Sequence, residues 1–169
     1  MSTCHVMVGL PASGKSYRVN EMVAMNPDAY VYSTDNIVED KARAVGKTYT
    51  EVFESVIKKA KKQADEWLAE AIASGQDIIW DQTNLTKTKR RSIVYRLKKA
   101  GYEVVCECIP QPTSAKDVVE WNRRLQSRPG KVIPGFIIKN MTETYSLPTL
   151  DEGFDSVLYY DIHGAEQTI

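Results

Sequence analysis

Residues Gly9 to Ser16 spell G-x-x-x-x-G-K-S, a spacing that suits a chain of phosphates. Glycines at its two ends permit backbone angles that turn successive N–H groups toward one anion. A helix opening at Lys15 points the positive end of its dipole at the same place. Lys15 would reach the β- and γ-phosphates, and the Ser16 hydroxyl would hold Mg²⁺. Gly9, Pro11, Ala12, Ser13, Gly14, Lys15, Ser16 and Tyr17 thus form the candidate nucleotide cradle. The alternative is a glycine-rich turn that merely joins strand to helix.

Two carboxylates, Asp35 in YSTDN and Asp81 in IIWDQTN, each follow a short apolar run. In parallel sheets ligands bind beyond the carboxyl ends of the strands, so both acids should converge on the phosphate loop. Phosphoryl transfer to an alcohol needs a group that accepts the hydroxyl proton and aligns its oxygen, which Asp35 could supply. Asp35 could equally cap a following helix. Asp81 is placed to act near Mg²⁺, with Thr83 and Asn84 at the same edge; Thr86 is available to cap the helix beyond. Arg124 and Arg128 are four residues apart and share a face if their helix persists. Either could neutralise charge on a transferred phosphoryl group or end a solvated helix; Arg128, before a Pro-Gly break, is the first choice.

The elements that must carry these residues alternate. Strands are expected at 3–8, 30–33, 78–80, 102–109 and 156–161. Helices are expected from Lys15 to about Ala24, from Thr50 to Gly75, from Thr86 to Gly101, over 114–127, and from Pro134 to about Thr144. In the long second helix Phe53, Val56, Ile57, Ala60, Ala64, Trp67, Leu68 and Ala71 are read as one apolar face. This order implies an α/β fold of the P-loop NTPase kind. It would have one domain over 1–169, about five parallel strands, helices on both faces, and a helical lid at about 114–144.

Formal net charge is zero, with 22 basic and 22 acidic residues, so no global field recruits a polyanion. Lys87, Lys89, Arg90, Arg91, Arg96, Lys98 and Lys99 cluster locally, as do Lys58, Lys59, Lys61 and Lys62. Either group could follow a nucleic-acid backbone or be a solvated helix face. No run is long and apolar enough for a membrane span. The N-terminus enters the first strand without a signal-peptide pattern, so a cytoplasmic location with reduced, buried Cys4, Cys106 and Cys108 is expected. His5 and His163 lack metal-ligand spacing. No N-K-x-D-like guanine reader follows a strand, which argues against a GTPase switch.

With GLPASGKS, STDN, DQTNL, NRRLQSRPGKVIP and LPTLDEGFDSVLYY in this order, the chain resembles the P-loop kinase family of polynucleotide 5′-hydroxyl kinases, best known from phage. The resemblance implies ATP and Mg²⁺ as cofactors, a nucleic-acid 5′-hydroxyl end as acceptor, and a role in nucleic-acid repair. It implies Lys15 and Ser16 at phosphate and Mg²⁺, Asp35 as base, Asp81 as the active-site acid and metal partner, Arg128 as the lid arginine, and Arg124 among the nucleotide contacts. One departure stands out. The phage enzyme has an acceptor-binding arginine three residues after its base, where this chain has Val38, with Lys41 and Arg43 as candidate substitutes. Asp161-Ile162-His163-Gly164 does not match a D-x-D-G-T phosphatase motif, so no 3′-phosphatase activity is expected. The other readings are a kinase of a small hydroxylated metabolite or nucleoside, and an ATP-dependent nucleic-acid-binding module without catalysis. Oligomeric state is open.

Overall fold

The computed structural model describes residues 1–169. A six-stranded sheet runs in the order β2-β3-β1-β4-β5-β6. Its strands are β1 (Thr3–Val8), β2 (Tyr30–Tyr32), β3 (Ile78–Trp80), β4 (Glu103–Cys108), β5 (Ser156–Tyr160) and β6 (Glu166–Gln167). Every pairing among β1 to β5 is parallel; β6 pairs antiparallel with β5, an edge strand added to the five expected. Helices are α1 (Lys15–Met25), α2 (Thr34–Ala44), α3 (Tyr49–Ser74), α4 (Lys87–Lys99), α5 (Ala115–Gln126) and α6 (Gly135–Thr144). The last two form the lid. No helix is long and apolar enough to cross a membrane.

The sheet is apolar on both faces because helices cover both. On one face Cys4, Val6 and Val8 of β1 and Val104, Cys106 and Cys108 of β4 meet Ala64, Leu68 and Ala71 of α3 and Ile93, Val94 and Leu97 of α4. On the other, Met7 and Ile79 meet Val19 and Met22 of α1. The three cysteines are free and fully buried, and burial pushes their thiols far above the ordinary range.

Several expectations need correction. Residues 34–44 form α2, a helix missing from the expected alternation of elements; its apolar residues Val38 and Ala42 face Val52 and Ala60 of α3. Along α3 the buried line is Val52, Ala60, Ala64, Leu68 and Ala71. Phe53 and Trp67 remain 37% and 44% exposed even though helical spacing puts them on that line, seven residues either side of Ala60. The helix opens at Tyr49 through a capping box, in which the Thr48 hydroxyl accepts from Glu51 N and the Glu51 carboxylate accepts from Thr48 N.

Arg90 departs most from expectation. It is fully buried rather than part of a basic face. Its guanidinium donates to both Glu152 carboxylate oxygens at 2.7 and 3.1 Å, to the Asn84 and Leu85 carbonyls at 3.1 and 2.9 Å, and to Ser146 Oγ at 3.1 Å. This ties α4, the lid's exit and the loop after β3 together.

Candidate active site

The sheet register brings the two acids to the phosphate loop. Tyr32 of β2 stands opposite Trp80 of β3, and Trp80 opposite Val6 of β1, so the three strands end at a common edge. Asp81 N donates to Tyr32 O at 2.9 Å, and Gly9 N to Thr83 O at 3.0 Å. The loop after β3 is held against β1 by Asn84, which is fully buried and donates from Nδ2 to Met7 O at 2.7 Å. Its φ of 47° lies in the left-handed region that asparagine tolerates better than most residues. Asn84 therefore staples this loop to β1, while its buried Oδ1 has no partner. Thr83 stays partly accessible.

The phosphate loop has the cradle geometry. Ala12 and Gly14 adopt positive φ values of 61° and 107°, and Gly14 ends the loop as the N-cap of α1. A Cβ on Gly9 would stand 2.9 Å from Ser13 Oγ and 3.2 Å from Lys15 Cγ, so any side chain there would fill the cradle. Ser13 Oγ is buried without a hydrogen-bond partner, a polar atom left for a ligand of the loop. The Lys15 ammonium donates to Leu10 O at 3.2 Å. Withdrawal from water lowers its pKa to about 8, against the opposing pull of Asp81 and Asp35. Ser16 and Tyr17 are exposed at the start of α1.

Ser33, not Asp35, caps α2, with Oγ accepting from Asn36 N at 3.2 Å. Asp35 is thereby freed of the capping role and sits in the first turn. Its Oδ1 accepts from Tyr49 Oη at 2.7 Å and its Oδ2 from Lys131 Nζ at 3.1 Å. Lys131 also reaches Glu39 at 3.2 Å and lies 4.3 Å from the centre of the Tyr49 ring. Burial pushes the Asp35 carboxyl up, but the Tyr49 hydroxyl and the Lys131 ammonium outweigh it and hold the group below its usual range. At Asp81 burial wins with help from Asp35, and its carboxyl is raised despite Lys15. Two acids that feel one another's charge are thus driven in opposite directions by their surroundings. Lys131 and Tyr49 were not singled out from sequence; Lys131 lies in the quoted lid motif, four residues of chain from the start of α6.

In the lid, α5 ends at Gln126, so Arg124 and Arg128 do not share a helical face. Arg124 Nε pairs with Glu120 at 3.0 Å and Nη1 donates to Ile162 O at 2.8 Å. It lines a cleft of about 330 Å³ with Gly14, Tyr17, Ile162 and His163, beside the start of α1. Arg128 lies beyond the helix, with Nη1 buried and unpartnered and its charge felt at Lys15. The lid is rooted by Trp121, whose indole donates to Pro11 O at 2.8 Å. Its strap is fastened to α3: Thr50 N donates to Gly130 O at 3.2 Å, and Val132 N to Thr50 Oγ1 at 3.1 Å.

Val38, three residues after Asp35, is fully buried between α2 and α3. Lys41 and Arg43 do not supply a cation there. Both are exposed toward the far end of α2, and Arg43 pairs with Asp40 at 3.1 Å. The cation that stands at Asp35 is Lys131.

Residues 4–148 match the family model described as an AAA domain. Among solved structures, a chain from the PezAT chromosomal toxin-antitoxin system of Streptococcus pneumoniae superposes with a TM-score of 0.64 at 15% identity, covering 99% of this chain and 70% of that one. A presumed kinase from Chloroflexus aurantiacus gives 0.63 at 17%, covering 95% and 85%. A fungal RNA kinase gives 0.56 at 16%, covering 96% and 76%. At these identities the likeness is one of fold.

Proposed function

From the premise that this chain belongs to the AAA-domain family of P-loop proteins and has a kinase-like P-loop fold, we propose that it is an ATP-dependent kinase acting on the 5′-hydroxyl end of a nucleic acid. The observation that carries the reading is Asp35: an ionised carboxylate at the carboxyl edge of the sheet, excluded from capping, one strand removed from the phosphate loop.

The γ-phosphate would lie in the cradle of 9–16, held by backbone N–H groups and Lys15, with the base of ATP in the cleft by Arg124. Asp35 takes the proton of the acceptor hydroxyl as that oxygen attacks the γ-phosphorus in line, and the bond to the bridging oxygen of ADP breaks. To receive the hydroxyl, Asp35 gives up its contact with Tyr49 or Lys131, which raises its basicity at the moment of transfer. Lys15 and the unpartnered Arg128 face the charge spread over the phosphoryl oxygens. Ser16 and Asp81 fit a hard divalent cation, since neither side chain is engaged by another protein group; bound Mg²⁺ would supply neutralisation of the β- and γ-phosphates.

One observation favours a small polyol or nucleoside instead: with Val38 buried, α2 offers no cation at the position that grips a nucleotide phosphate in the phage enzyme. The test is transfer of labelled γ-phosphate from ATP with Mg²⁺ to a 5′-hydroxyl oligonucleotide, with nucleosides and polyols in parallel. Label on the oligonucleotide that disappears in Asp35→Asn, while ATP binding persists, is the expected result. Label only on a small alcohol would transfer the proposal to that class, and undiminished transfer by Asp35→Asn would remove Asp35 as base.

A further inference from the structure

Outside the groups used above, the clearest unexplained feature is a set of side chains leading away from Asp35 along α3. Tyr49, Phe53, Ile57 and Lys61 follow one another at four-residue steps, a stripe that winds slowly round the helix. Tyr49 holds Asp35 at 2.7 Å, and the Tyr49 and Phe53 rings lie 5.5 Å apart with an interplanar angle of 36°. Twelve residues of helix carry the stripe about 18 Å from Tyr49 to Lys61.

The stripe ends beside the site's own edge of the sheet. Tyr32, the last residue of β2, donates from Oη to Asp65 Oδ1 at 2.7 Å. Lys61, one turn before Asp65, therefore stands just beyond the carboxyl ends of β2 and β3. Lys89, in the first turn of α4, leaves the same edge of the sheet after β3, and partial desolvation together with the Lys61 charge lowers its ammonium. Their neighbours are paired, Lys62 with Glu66 and Lys87 with Asp151, but Lys61 and Lys89 enter no ion pair. Both ammonium groups are exposed and free to take an anionic ligand. The α4 N-terminus adds its positive dipole end at the same place.

We propose that the exposed surface running from Asp35 along the first half of α3 toward the first turn of α4 binds single-stranded polynucleotide, with Lys61 and Lys89 on backbone phosphates and Phe53 as a stacking platform, so that the strand's 5′ end arrives at Asp35. This rests on the kinase reading above. Aromatic faces alternating with cations are the usual means of holding a single strand without reading its sequence. It also answers the loss of the arginine at Val38: affinity for the acceptor is moved from the first phosphate to phosphates further along the strand.

The test compares a 5′-hydroxyl hexanucleotide with a nucleoside 3′-phosphate, too short to reach Lys61. The Lys61→Glu/Lys89→Glu double variant should raise the ratio of the two KM values at least tenfold, while Lys99→Glu, at the far end of α4, leaves that ratio alone. The slope of log affinity for the hexanucleotide against log salt should fall by about 1.4, since each single-strand phosphate contact contributes about 0.7. Phe53→Ala should raise the same ratio about tenfold without changing the salt slope. An unchanged ratio and slope in the double variant overturn the track. Fluorescence anisotropy of a labelled hexanucleotide separates this from failure of the kinase reading. If the native protein transfers phosphate to no nucleic acid yet binds the hexanucleotide through Lys61 and Lys89, the track stands and the catalytic reading falls. Equal displacement by an acidic peptide of the same charge would overturn nucleic acid as the occupant.

Discussion

Arg90→Met removes the guanidinium but keeps an unbranched apolar stem of similar reach. Five hydrogen bonds are lost, and the Glu152 carboxylate, itself 5% exposed, and the Asn84 carbonyl are left short of donors in the interior, while the Leu85 carbonyl keeps Ser146 N at 3.0 Å. Glu152 keeps one donor, Thr149 N at 2.9 Å. Breaking a buried, well-bonded ion pair from one side costs about 3–5 kcal/mol. For a domain of this size that corresponds to a fall in Tm of about 6–20 °C. Urea unfolding followed by far-UV circular dichroism gives the free energy, and a thermal melt gives the shift. The double variant Arg90→Met/Glu152→Leu no longer buries the lone carboxylate and should recover most of the loss. A single variant within about 1 kcal/mol of the native protein would refute the idea that this ion pair joins α4 to the loop after β3.

Lys131→Met removes a cation that holds Asp35 down, so the Asp35 carboxyl should titrate at higher pH and the acid limb of kcat/KM should move upward; a limb that stays put or moves down would contradict the contact. The Lys15 ammonium, lowered to about 8, loses its charge as pH rises through that value, so affinity for a non-hydrolysable ATP analogue should decline above it, whereas Lys15→Arg should remain flat. By the same linkage the unfolded chain binds more protons at Lys15 between about 8 and 10.4, so this group makes the ligand-free fold gain stability as pH rises across that window. Val38→Arg should not improve acceptor binding; it forces a charge between α2 and α3 and should destabilise the protein by about 3 kcal/mol or more in chemical denaturation.

The phosphate loop, the two strand-end acids and the capping residue Thr86 were legible because each follows from local spelling: glycine spacing, a carboxylate after an apolar run, a hydroxyl before a helix. What escaped was set by tertiary packing. Helix α2 has a short apolar line that gains meaning only against Val52 and Ala60 of α3. Arg90 reads as one more cation in a basic stretch, and only Glu152, 62 residues later, shows that its place is inside. Lys131 was visible as a letter of the lid motif, but its pairing with Asp35 spans 96 residues and a folded strap. Phe53 and Trp67 have the periodicity of core residues, but periodicity alone does not say where along α3 another element covers its apolar face.

The fastening of the lid strap to the start of α3 has a kinetic consequence. A helix's first amides have no carbonyl within the helix, and one of them, Thr50 N, is satisfied by Gly130 O in the strap. Val132 N completes the return contact on Thr50 Oγ1. Releasing the strap hands both amides to solvent at once, while Trp121 keeps the lid's root on Pro11. At a pH where chemical exchange outruns reclosing, hydrogen–deuterium exchange at Thr50 and Val132 therefore runs at a single shared rate, the rate at which the strap opens, and that rate can be read in the resting protein before any substrate is added.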